Sequence, residues 1–116
     1  MKKETVFTMA TGKKLTLCLT IKDMMKAERD MGRSLFAEVA GISRGSLQGM
    51  DLRFTMACLR WSLPTQQTDE ELEQIIEDHC MAGGTLDDIN RVLLQTLFAT
   101  GLFTPGKNGD KVAVKA

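Results

Sequence analysis

The sequence predicts an α+β, mainly α fold: an N-terminal β-hairpin packed on about five short helices. Three observations carry that prediction. Leu15, Leu17 and Leu19 alternate with Thr16, Cys18 and Thr20, the period of a strand with one apolar face. Beyond Ile21, apolar residues recur at helical spacing instead, as in Leu72, Ile75, Ile76, His79 and Cys80. Thr20, Thr68 and Thr85 each stand where a side-chain oxygen can accept from the N–H groups of a new helix.

In chain order, 4–10 and 15–20 read as strands around the polar turn Thr11-Gly12-Lys13-Lys14. An isolated hairpin is marginal in water, so its apolar face is expected to lie on the helices. Thr20 caps a first helix over 21–31, which Gly32 stops. Its expected apolar face is Ile21, Met24 and Met25, with Glu28 at helical spacing on that face. A second helix over 34–40 is expected to bury Leu35, Val39 and Phe36, and 41–49 (GISRGSLQG) reads as a polar, glycine-rich loop.

The third helix, 51–62, has Leu52, Met56, Leu59 and Leu63 in one stripe and Phe54, Cys58 and Trp61 opposite, with Arg53 and Arg60 between. A helix apolar on both sides is central in the domain or shared with another subunit. Pro64 ends it. Thr68 and Glu71 form a capping box for the fourth helix, 69–81, which Gly83-Gly84 ends. Thr85 and Asp88 open a fifth, running to about 100, whose face Leu86, Ile89, Leu93 and Leu97 is broadened by Val92, Leu94 and Phe98.

The chain of 116 residues is long enough for one core, so 1–103 reads as a single domain and 104–116 as a disordered polar tail. No apolar run approaches a membrane span and no signal-peptide core follows Lys3, which together read as a cytosolic protein. Cys18, Cys58 and Cys80 are odd in number and widely spaced, arguing against a disulfide framework or a zinc knuckle and for small buried hydrophobes. Net charge is zero, yet Asp69, Glu70, Glu71, Glu73, Glu77, Asp78, Asp87 and Asp88 form an acidic belt without Lys or Arg between two mildly basic flanks. That belt is a solvated helix face or the rim of a contact with a basic partner. The eight methionines likewise fit either a core or an adaptable binding surface.

Chemistry-bearing residues are sparse, and no catalytic, cofactor-binding or metal-binding residue is predicted. His79 is the only histidine and lacks convergent metal ligands, while Cys80 beside it points about 100° away on a helix. Glu28 is read as a structural buried charge, in an ion pair or cap with Arg29, Arg33 or Arg53.

The order hairpin, Glu-bearing helix, glycine resembles the tail assembly chaperones of long-tailed bacteriophages and related gene transfer agents. The residues that carry the resemblance are Ala27-Glu28, Gly32-Arg33-Ser34-Leu35-Phe36, Ala57-Cys58-Leu59-Arg60-Trp61-Ser62-Leu63, Thr68-Asp69-Glu70-Glu71 and the late helix from Leu86. It covers roughly 5–103, with Ala27 and Arg33 in place of the family's Leu and Lys. The resemblance implies a non-enzymatic chaperone of the bacterial host cytoplasm that is left out of the mature virion. It binds the tape-measure protein, assists tail-tube protein assembly and can form a homo-oligomer. The expected contact residues are Phe54, Trp61, Val92, Leu94 and Phe98, by helix-in-groove packing. Rival readings are a head–tail connector and a small nucleic-acid-binding regulator; the acidic fourth helix opposes the second.

Overall fold

The computed structural model describes residues 4–43 and 52–102. It is the α+β, mainly α arrangement that the patterns predict. Strands β1 (Thr5–Thr8) and β2 (Lys14–Leu17) pair antiparallel, with Phe7 opposite Leu15 and Thr5 opposite Leu17. Helices α1 (Ile21–Met31), α2 (Leu35–Ser43), α3 (Leu52–Ser62), α4 (Asp69–Met81) and α5 (Leu86–Ala99) follow. Both strands are shorter than their apolar runs. After Thr8 the chain turns, with Gly12 N–H donating to Met9 O (2.8 Å), and Cys18 N–H leaves the ladder to donate to Ser62 O at the end of α3 (2.9 Å).

The predicted alternation is realised: Leu17 and Leu19 are buried with Phe7 and Met9, and Leu15 packs against that cluster. This face lies on the helices. β1 packs on α5, where the hydroxyls of Thr5 and Thr96 are 2.5 Å apart. Helix α3 is the hub, packing on α1, α4 and α5. Its buried Phe54, Ala57, Cys58 and Leu59 meet Ile89, Leu93 and Leu97 of α5 in one core. Full burial of such side chains contributes roughly 1.5–3 kcal/mol apiece for the large ones. The hydroxyl of Thr55 donates to Asn90 Oδ1 (2.5 Å), so the polar pair inside the α3–α5 contact is satisfied.

Three helix starts are capping boxes. Thr20, Thr68 and Thr85 accept from the N–H groups of Asp23, Glu71 and Asp88, whose carboxylates accept from the threonine N–H groups in return. Gly32 adopts the left-handed conformation (φ 72°) that ends α1, as the sequence predicts. Helix α2 runs past Ala40 to Ser43, so the start of the predicted glycine-rich loop is helical. The rest of that loop and the tail 104–116 lie outside the described residues.

Two predicted faces are corrected. Helix α1 buries Met24, Ala27 and Met31, while Ile21 (62%) and Met25 (58%) are exposed. Ala27 is fully buried on the same face of α1 as Met24 and Met31. On α2, Leu35 and Val39 are buried as expected, but Phe36 is 57% exposed. Among the described residues no helix is long and apolar enough to cross a membrane.

Candidate functional site

Glu28 performs local structural work. The N–H of Leu35, the first residue of α2, donates to Glu28 Oε2 (2.8 Å), and the N–H of Ala37 donates to Ser34 Oγ (3.3 Å). The orphan N–H groups that open α2 are thus met from the preceding helix and from the turn. With Gly32 reversing the chain, this explains the spacing of Glu28, Gly32, Ser34 and Leu35. Glu28 is half-buried rather than buried, and the partner shown here is a backbone N–H rather than an arginine. The more deeply buried carboxylate is Glu38, ion-paired with Arg33 (3.4 Å). The sequence analysis did not single out Glu38; its place three residues after Leu35 on a helix was the available signal.

Two of the expected contact residues belong to the core. Phe54 is fully buried and Val92 is 7% exposed, so neither is offered to a partner in this fold. Leu94 and Phe98 are half-buried against the same core. Trp61, also half-buried, is held by α1. Its indole N–H donates to Asp30 Oδ2 (2.8 Å), and the Lys26 ammonium lies 4.8 Å from the ring centroid. The five residues therefore do not make one surface.

Beside Trp61 runs an open groove of about 1260 Å³ between α1, α3 and the 63–68 connection. Several of its charged groups hold the fold. Arg60 pairs with Asp30 (3.5 Å) and with Asp69 at the start of α4, and donates to Gln67 O (3.4 Å). Asp23 is engaged in the α1 cap.

His79 is a latch. The Ala10 N–H donates to Nδ1 (2.9 Å), which places the ring proton on Nε2, facing Asp88 Oδ2 at 3.0 Å. The imidazole meets Phe7 edge-on at 5.1 Å and lies against Gly84, where a Cβ would stand 2.2 Å from the ring. One side chain thus joins the hairpin, α4 and the start of α5. Asp88 is held below the usual carboxylate range, first by the Thr85 N–H and then by His79.

The cysteines do not share one environment. Burial, and then the charge of Glu38, pushes the Cys58 thiol up to about 12, so it carries no thiolate near neutrality. Cys18 is half-buried, and Cys80 is exposed, contrary to the apolar pattern in which it stands. Among the described residues no group of three His, Cys, Asp or Glu side chains could hold a metal ion.

Exposed apolar surface is concentrated elsewhere. Ile21, Met25, Phe36 and Leu102 surround a shallow hollow of about 90 Å³, floored by Met24 and Leu35 and edged by Glu28. Met81, at the end of α4, is 87% exposed. Four of the exposed large apolar side chains thus lie together around one hollow. The sequence places Ile21 and Met25 one helical turn apart but does not say which side of α1 faces inward. In comparisons with known proteins, no family model, curated protein or solved structure matches the chain.

Proposed function

We propose that this protein is a phage or prophage tail assembly chaperone, a non-enzymatic binder of the tape-measure protein that assists tail-tube assembly in the bacterial host cytoplasm. One observation carries the reading: the resembling run from Glu28 to Phe36 is a coherent helix–helix junction, with Glu28 capping Leu35 across the Gly32 turn. The motif is then a unit of fold with a physical reason for its spacing, rather than scattered identities.

The exposed apolar hollow at the same junction supports a binding role, because it lies next to that motif. The partner surface moves accordingly, from Phe54, Trp61, Val92, Leu94 and Phe98 to the α1–α2 junction. A helical protein partner suits such a site, since an amphipathic helix presents apolar anchors at one-turn spacing.

The test is co-expression with a phage tape-measure protein, a long helical chain, followed by affinity purification of either partner. The chaperone reading expects the helical protein to become soluble and to co-purify, with this chain absent from finished particles. An insoluble, unaccompanied helical protein, with this chain incorporated into particles, would instead favour a head–tail connector.

A further inference from the structure

His79 is bonded in a way that only the neutral ring allows. A backbone N–H can only donate, so the Ala10 N–H at 2.9 Å makes Nδ1 the acceptor. The ring proton is then on Nε2, toward Asp88 Oδ2 at 3.0 Å. Protonation adds a second N–H at Nδ1. Ala10 and His79 then face each other as two donors, while the contact with Asp88 becomes a charge-assisted hydrogen bond. One hold of the latch is lost and the other is strengthened.

The groups around the ring decide which side yields. From the hairpin it meets the Ala10 N–H and the Phe7 ring, neither of which is charged. From α5 it meets Asp88, its one charged partner among the described residues. Gly84 lies against the ring, and on α4 itself the neighbouring Glu77 and Asp78 are exposed. Asp88 is held below the usual carboxylate range, so it keeps its charge at the pH where histidines titrate. The imidazolium therefore stays with α5, and the hairpin gives way.

The hairpin can move at this end alone. Its turn is closed by its own bonds, Met9 N–H to Lys13 O and Gly12 N–H to Met9 O, both 2.8 Å, so it shifts as a unit. Ala10 is exposed, so water can replace the imidazole on its N–H. At the far end of β1 the hydroxyls of Thr5 and Thr96 tie the strand to α5, and neither titrates near neutrality.

We propose that His79 makes the attachment of the hairpin to α4 sensitive to pH: on protonation the imidazolium keeps Asp88 and releases the turn at Ala10, while the helices stay packed. The device rests on the His79 contacts and not on the chaperone reading, so each can fail without the other.

NMR of the full, 15N-labelled chain from pH 8 to about 5, the range over which histidines change charge, tests it. At the upper end a coupling through the hydrogen bond between the Ala10 nitrogen and His79 Nδ1 is expected. It should vanish as the ring nitrogens report protonation. The amide signals of Ala10, Thr11 and Gly12 should move with the same midpoint. Protection of the Ala10 N–H should fall about fivefold, the effect of losing one hydrogen bond. Thr5, Thr96 and the amides of α3 should not follow. In His79→Gln the side-chain carbonyl accepts from Ala10 at any pH, so the turn should no longer respond; thermal unfolding checks that this variant is folded. An Ala10 signal indifferent to the wild-type ring, or a ring that stays neutral throughout that range, overturns the proposal. So does a wild type whose helices lose their signals together with the turn, or a folded His79→Gln whose turn still responds.

Discussion

At the α4–α5 junction His79 gives both ring nitrogens to the protein, and Phe7, Gly84 and Asp88 close around it. At the α1–α2 junction one carboxylate, Glu28, holds the second helix, and Ile21, Met25 and Phe36 remain at the surface. Both junctions join consecutive helices through a turn containing glycine. The first is sealed by polar groups that satisfy one another, the second leaves apolar area in water. Folding alone explains the first. The second keeps the hydration cost of that area in the isolated chain.

Substitutions at the two junctions should therefore read out differently. Gly84→Ala is expected to have the largest effect, lowering stability by about 2–3 kcal/mol in chemical denaturation. The new Cβ displaces the imidazole and leaves the Ala10 N–H and Asp88 without it. A loss no greater than that of an exposed substitution would mean His79 is not the latch.

Glu28→Ala comes next, at about 1 kcal/mol, the usual effect of losing a helix cap. The loss should appear as fraying of the start of α2 in amide exchange, with the hairpin unaffected. Faster exchange throughout the domain would contradict so local a role.

Acid tests Asp88 more gently. Its carboxyl titrates lower in the folded chain than in the unfolded one, so ionised Asp88 stabilises the fold above its unfolded pKa. That contribution is lost as pH falls through the lower, folded pKa. Asp88→Asn should accordingly show a shallower fall in stability than the wild type on the acid side of the usual aspartate range. Parallel acid profiles would remove Asp88 from the account.

The smallest stability effect is expected at the other junction. Met25→Glu should stay within about 0.5 kcal/mol of the wild type, as an exposed substitution does. A large destabilisation there would show that α1 is rotated and Met25 belongs to the core.

These two junctions also mark how far the sequence could be read. The capping threonines, the Leu15–Leu17–Leu19 alternation and the Gly32 stop are local signals, decided by groups a few residues apart, and each is realised. The buried side of α1 is a tertiary choice. Met24 and Met25 look alike in sequence, and it is the face of Met24, Ala27 and Met31 that turns inward in a helix packed on α3. The same limit applies to Phe54 and Val92. A wide apolar stripe fits both a hub helix and a shared surface, and only the packing of α3 on three other helices separates them. His79 shows the limit from the polar side, since its partner Ala10 lies 69 positions away and donates through the backbone.

Mild oxidation followed by mass spectrometry tests the central claim most directly, because methionine thioethers oxidise according to exposure. In dilute solution Met25 and Met81 should oxidise readily while Met9, Met24 and Met31 are protected. Met24 reacting as fast as Met25 would contradict the account.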